Sequence, residues 1–221
     1  MQSQAIEASP SIMPPKTYPL FYALVPFVYA RLPLGSRQPW LKRAIKVSFM
    51  NILDIVRTVP DYPYKGINFY DVNSIFAAPQ WPLCIDAMVK KIKTLPEKPT
   101  HIIGVESRGF VIAGALSHAL GIPCVMVRKE GAKYPGELYR AGYALEYGEA
   151  VLTLQSTVLK TGDRVILADD LIATGGSLQA TQKLVGRCGA EVLAWITLIN
   201  LVYINKGKLG NQTLALADIE A

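Results

Sequence analysis

Asp169 and Asp170 stand side by side at the end of an apolar run, Val165-Ile166-Leu167-Ala168, and lead into Leu171-Ile172-Ala173-Thr174-Gly175-Gly176-Ser177. The order reads as a buried strand, paired carboxylates, a tight turn and the start of a helix. Two carboxylates accept hydrogen bonds from a vicinal diol, while hydroxyls and backbone N–H groups at a helix N-terminus hold a phosphate. Gly175 and Gly176 let the backbone bend closely round an anion, and Thr174 and Ser177 add hydroxyl donors. The helix end contributes ~0.3–1 kcal/mol toward an anion, more where it is partly buried. A sugar phosphate presents a diol and a phosphate close together, so the run points to a ribose 5-phosphate group. An ordinary strand-to-helix turn would not place two acids at a buried strand end, because unpaired carboxylates there are costly. The run contains no Gly-Lys-Ser or Gly-Lys-Thr, which separates it from the P-loop of nucleotide triphosphatases.

The elements that must position these groups begin near residue 100. The spacing predicts a strand over 100–105, an apolar helix over 109–120 stopped by Gly121, and a strand over 122–127. A Gly- and Tyr-rich loop over 129–148 carries a hairpin and leads to the apolar stretch 151–154. A strand over 164–168, a helix over 176–187 and a strand over 191–200 complete the pattern. Strands alternating with helices argue for an α/β fold: a central parallel sheet flanked by helices. In such sheets ligands bind beyond the carboxyl ends of the strands. Glu106-Ser107-Arg108-Gly109 and the stretch 169–177 both fall at such ends. Upstream, helical periodicity runs from Trp40 to Thr58, Pro60 and Pro63 break it, a loop covers 61–71, and a helix covers 81–93.

With 221 residues the chain has room for one well-buried domain plus decoration. Residues 1–43 form an irregular, Pro-rich extension and 44–221 a single domain. The net charge of +6 is unevenly placed: residues 1–58 carry +5 and the rest of the chain +1. A nucleic-acid binder would show its basic clusters on the folded body, so that partner class is set aside. A membrane span needs about 20 apolar residues; the apolar stretch 18–34 is interrupted by Pro19, Pro26, Pro33 and Arg31. It reads as a segment packed on the body, a subunit contact or a partly disordered arm rather than as a span or signal peptide. Cys84, Cys124 and Cys188 show neither metal-ligand nor disulfide spacing and read as small core filler in a cytoplasmic protein. His101 and His118, at a strand start and on a helix, carry no catalytic assignment.

The Asp-Asp-Leu-Ile-Ala-Thr-Gly-Gly-Ser run resembles the phosphoribosyl pyrophosphate signature of the type I phosphoribosyltransferase family, in the wording of its adenine-specific members. Hypoxanthine-guanine members usually have Asp where this chain has Ala173; that Asp is thought to act on N7 of an oxopurine, so Ala173 favours adenine. Four further segments agree in order. Val59-Pro60-Asp61-Tyr62-Pro63 with Gly66-Ile67-Asn68-Phe69-Tyr70-Asp71 resembles the hood over the base, and Gly104-Val105-Glu106-Ser107-Arg108-Gly109-Phe110 the pyrophosphate loop. Val127-Arg128-Lys129-Glu130-Gly131 is similar to the start of the mobile lid, and Tyr143-Ala144-Leu145-Glu146-Tyr147-Gly148 to its returning arm. The lid turn, Gly131-Ala132-Lys133-Tyr134-Pro135-Gly136, is one residue longer than the common pattern, and Tyr70 stands where some relatives carry Arg.

The resemblance implies transfer of a phosphoribosyl group to adenine, giving AMP and pyrophosphate with Mg²⁺, by a homodimer whose partners are small molecules and neither nucleic acid nor membrane. It implies that Asp169 and Asp170 hold the ribose hydroxyls, directly or through Mg²⁺, and that Ala173, Thr174, Gly175, Gly176 and Ser177 hold the 5′-phosphate. Glu106, Ser107, Arg108, Lys129 and Tyr147 would surround pyrophosphate. Phe69 would stack on adenine, with the backbones of Asn68 and Tyr70 reading its edge. Glu146 would serve as acid or base at N7 and Arg108 would neutralise the leaving group. The Glu106–Ser107 peptide is expected to be cis. Transfer to another nucleobase, or a non-catalytic phosphoribosyl pyrophosphate sensor, remain the alternatives.

Overall fold

A computed structural model describes residues 51–145, 148–209 and 212–220. After a 3-10 turn at Ile52–Asp54, Arg57–Val59 (β1) pairs antiparallel with Phe69–Asp71 (β2), with Thr58 opposite Tyr70. The helix expected to reach Thr58 is therefore not what forms over 51–58, and 69–71 is strand rather than loop. β-Branched Thr58 and Val59 favour the extended form, and Arg57 closes the ribbon on Asp71 at 2.5 Å. Residues 40–50 of the expected helix lie outside the described residues.

Two helices follow, Asn73–Phe76 (α1) and Trp81–Ile92 (α2). The body then alternates His101–Val105 (β3), Gly109–Leu120 (α3) and Cys124–Lys129 (β4). The hairpin Leu138–Leu145 (β5) and Gly148–Gln155 (β6) comes next, then Arg164–Ala168 (β7) and the short Leu171–Ile172 (β8). Gly176–Arg187 (α4), Glu191–Leu201 (β9), Val202–Asn205 (α5) and Thr213–Ile219 (β10) complete the chain. The sheet runs β10-β9-β7-β3-β4-β6-β5, with β8 beside β9. From β10 to β4 all pairs are parallel; β6 and β5 add an antiparallel edge. The expected hairpin and parallel core are present, while β10 extends the sheet past the strand expected at 191–200.

Chain order reverses between β3 and β7: β3 leads to β4 on one side, whereas β7 leads to β9 and β10 on the other. Both strands end in polar loops, so the crevice at this switch point is where an α/β sheet takes its ligand.

Strand alternation builds two cores. Ile102, Ile166, Ala194 and Ile196 face α2 and α3, while Ile103, Leu167 and Trp195 face α4. α2 buries Cys84, Ile85, Met88 and Ile92 along one stripe. α3 ends where Gly121 takes a left-handed conformation and returns its N–H to Ser117 O. β4 starts two residues later than expected, since Pro123 has no N–H for the ladder. Cys124, expected in the core, is exposed together with Met126 on that face of β4. Among the described residues no helix is long and apolar enough to cross a membrane.

One close approach fixes the crevice. A Cβ on Gly109, at the start of α3, would lie 2.5 Å from the Ala168 carbonyl oxygen and 3.3 Å from Asp169 Oδ1. The helix N-terminus can sit on the end of β7 only without a side chain there. Gly109→Ala is expected to lower unfolding free energy by about 1–3 kcal/mol in urea titrations. Gly114→Ala, with nothing within 4 Å of its Cβ, should raise it by about 0.5–1 kcal/mol.

Candidate active site

A cleft of about 930 Å³ opens over the switch point. Its walls come from the β3 loop (Glu106, Ser107, Arg108), the end of β4 (Lys129), the lid strand β5, the turn after β7 and the start of α4. Asp169, Asp170 and all five residues from Ala173 to Ser177 line it, so groups 60 residues apart in sequence converge as the strand ends require.

Both carboxylates are buried. Asp169 Oδ1 accepts the Asp170 N–H at 2.9 Å, and Ser177 Oγ donates to Asp169 Oδ2 at 3.5 Å. Arg108 Nε lies 2.7 Å from Asp170 Oδ2, while the rest of its side chain stays half-exposed in the cleft. Burial holds both carboxyls above the ordinary carboxylate range. The neighbouring Asp170 charge pushes Asp169 further up, whereas Arg108 pulls Asp170 back down. A hard cation or a pair of hydroxyl donors would relieve that condition.

The turn beyond them is an anion cradle. Gly175 adopts φ 82°, and a Cβ there would lie 2.9 Å from Leu209 Cδ2 and 3.4 Å from the Trp195 ring, so only glycine fits. The N-cap, Gly175, has no side chain to cap α4, the Gly176 N–H reaches Thr174 Oγ1 at 3.4 Å, and the helix N-terminus borders the cleft as an anion site. Lys129 adds a cation at the opposite wall. The Glu106 carboxylate accepts the Lys129 N–H at 2.6 Å and lies 3.6 Å from Arg128 Nε, so this acid braces β4 against the β3 loop. The Glu106–Ser107 peptide is cis, as expected.

The lid turn also has a defined anchor. Tyr134 packs over the Arg128 guanidinium at 5.6 Å and donates to the Met126 carbonyl at 3.2 Å, folding the turn back onto β4.

The residues expected to recognise the base sit apart from this lining. Phe69 and Tyr70 belong to β2, Asn68 immediately precedes it, and none of the three borders the cleft. Phe69 meets Tyr62 edge to face at 5.1 Å. Tyr70 packs on the core, where burial raises its phenol pKa and the nearby Tyr203 of α5 adds to the rise. Glu146 and Tyr147 lie outside the described residues.

Three contributors were missed from sequence. Tyr143 of β5 lies in the cleft against Gly176, and its phenol is raised by burial, then by Asp169 and Glu106. Gln179 and Lys183 extend the wall along α4. Their signal was available: with Gly176 they recur at helical spacing on one face.

The raised carboxyls fix a pH dependence. Above roughly pH 4 the unfolded chain releases protons that the folded pair retains, so stability falls as pH rises through that window. Asp169→Asn removes the main contributor. In metal-free buffer it is expected to melt higher than the parent chain at pH 7.5, with the gap closing below about pH 4; an equal or lower melting temperature at pH 7.5 contradicts the assigned cost.

The chain matches the phosphoribosyl transferase domain family over residues 72–209. It is 43% identical over 171 residues to the adenine phosphoribosyltransferase of Agathobacter rectalis, covering 77% of this chain and 94% of that protein. Against the adenine phosphoribosyltransferase of Rhodospirillum rubrum the identity is 42% over 160 residues, covering 72% and 91%. The crystal structure of adenine phosphoribosyltransferase from Saccharomyces cerevisiae, complexed with an imino-altritol bisphosphate and adenine, superposes with a TM-score of 0.71 at 35% identity, covering 79% of this chain and 99% of that one. Paired carboxylates, anion turn and switch-point cleft thus occur in a chain that belongs to the type I phosphoribosyltransferases, in their adenine phosphoribosyltransferase branch.

Proposed function

We propose that this chain transfers the 5-phosphoribosyl group of phosphoribosyl pyrophosphate to adenine, releasing AMP and pyrophosphate in purine salvage, with residues 44–221 as the working domain. The observation that carries the reading is the pair of buried carboxylates beside a helix N-terminus on the same cleft, with uncharged Ala173 in the turn between them. The relatives' names and the adenine in the yeast complex support the same acceptor.

In this reading Asp169 and Asp170 accept hydrogen bonds from the ribose 2′- and 3′-hydroxyls. Residues 173–177 hold the 5′-phosphate through N–H and hydroxyl donors. Arg108 and Lys129 meet the charge that grows on departing pyrophosphate, Arg with a planar fork and Lys as a point charge. Ser107 and Tyr147 complete that side, and Glu106 acts there by bracing Lys129. Phe69 stacks on the base, with the Asn68 and Tyr70 backbones at its edge. Because these ribbon residues stand back from the cleft, binding adenine brings hood and cleft together. Glu146 exchanges the proton at N7. A closed lid keeps water from the sugar carbon as it turns positive.

Mg²⁺ fits this donor set. Two buried, oxygen-bearing acids suit a hard cation, yet no cluster of three or more acidic, His or Cys ligands occurs among the described residues. The ion would therefore be held by Asp169, Asp170 and pyrophosphate oxygens together, where it supplies neutralisation of the leaving group. Exposed Met126 of β4 and exposed Val111 of α3 suit a homodimer interface. The three free thiols suit a reducing cytoplasm.

With phosphoribosyl pyrophosphate and Mg²⁺, pyrophosphate release should occur with adenine and be absent with hypoxanthine, guanine or orotate. Activity confined to the latter three overturns the proposal. Glu146→Gln is expected to lower kcat with adenine by about 10²–10⁴; an unchanged kcat removes Glu146 from the mechanism. Light scattering on the same preparation should give the mass of two chains.

A further inference from the structure

Beneath the anion turn runs a chain of side-chain amides that the reaction as described leaves unused. Asn200 of β9 donates its Nδ2 to Asp218 Oδ1 of β10 at 2.8 Å, and its Oδ1 accepts from Asn205 Nδ2 at 2.8 Å. Asn205, the last residue of α5, also directs Nδ2 at the Leu201 carbonyl (2.9 Å) and at the carbonyl of Ala173 (3.1 Å). Its own Oδ1 accepts the Gly207 N–H at 3.0 Å. Asn200 and Asn205 are both buried, and neither borders the cleft.

We infer that Asn205 is a positioning residue for the ribose 5-phosphate site, fixing the Ala173 peptide through a relay whose polarity is set by Asp218. A carboxylate only accepts and a backbone N–H only donates. Asp218 therefore requires Asn200 to turn its NH₂ outward and its oxygen toward Asn205. Gly207 requires Asn205 to turn its oxygen away from Ala173 and its NH₂ toward it. Both ends impose one direction, and a flipped amide would set donor against donor or acceptor against acceptor. At the far end the restraint passes through a planar trans peptide, in which the Ala173 C=O and the Thr174 N–H point opposite ways. Holding the carbonyl on Asn205 thus aims the Thr174 N–H away from α5, and Thr174 lines the cleft. The phosphate then meets a donor already oriented, so less ordering accompanies binding.

The relay rests on reading this turn as the 5′-phosphate site, and calorimetric binding of ribose 5-phosphate to the full chain tests the two separately. Asn205→Asp replaces the NH₂ donor by oxygen facing three acceptors. It is expected to weaken ribose 5-phosphate binding by about tenfold, the worth of roughly one hydrogen bond. It should raise KM for phosphoribosyl pyrophosphate in step, while KM for adenine stays within about threefold. Asp218 is exposed, which allows a milder pair on the same axis should the buried change unfold the protein. Asp218→Ala should weaken binding, and Asp218→Asn, which keeps an acceptor, should restore it. Unaltered binding by folded Asn205→Asp, or equal losses in the two Asp218 variants, overturns the relay alone. Failure of the unmodified chain to bind ribose 5-phosphate overturns the reading of the turn and the relay with it.

Discussion

Asp169 and Asp170 leave the sheet where β7 ends, and burial there holds both carboxyls above their ordinary range. Two adjacent acids in such a place repel each other and lack water, so the fold must supply partners or carry the cost. Among the partners it supplies are the Asp170 and Leu171 N–H groups, the Ser177 hydroxyl and the Arg108 guanidinium. Each belongs to the turn after β7 or the loop after β3. The position of those two loops is therefore tied to the acids, and the acids are fully satisfied only when a diol or cation arrives. A site that is incompletely neutralised when empty gives its ligand differential binding free energy, which a self-satisfied cluster of charges would not.

The rest of the architecture serves this pair by bringing backbone close. α3 reaches the end of β7 because Gly109 presents no side chain to the Ala168 carbonyl, and the turn settles on Trp195 because Gly175 can take φ 82°. The first contact is made at a strand end where chain order reverses. Trp195 is wholly buried on β9, so the floor of the anion turn is core rather than loop. Rigidity at the site follows from packing in the sheet beneath it.

Where local chemistry determined local structure, the sequence could be read directly. α3 and α4 began and ended at the expected residues, because Gly121 terminates one and the Gly-Gly turn begins the other. The strand leading into Asp169 was legible as an uninterrupted apolar run. Features settled by pairing across long separations were not legible. Arg57–Val59 looks helical until Phe69–Asp71 lies beside it, and β10 is a strand because β9 offers an edge. Cys124 looked buried because its neighbours are apolar, yet it is exposed with Met126, while Val127 on the alternate face of β4 is buried. For the site, residue types and motif order located the acids, Arg108 and the anion turn. Tyr143, Gln179 and Lys183 were missed because membership in a cleft depends on which face of an element looks inward.

Ala173 shows how little of a residue's role need lie in its side chain. Its methyl group packs on the core, and what it offers the site is the absence of a carboxylate next to the base together with a carbonyl held from below by Asn205. α5 makes that hold possible, and the same short helix carries Tyr203, close enough to Tyr70 of the hood to raise its phenol. The β2 ribbon and the turn at Ala173, about a hundred residues apart in the chain, thus both meet α5. The geometry of recognition is then set as much by the edge of the sheet, through Asn200 and Asp218, as by any group that touches the ligand.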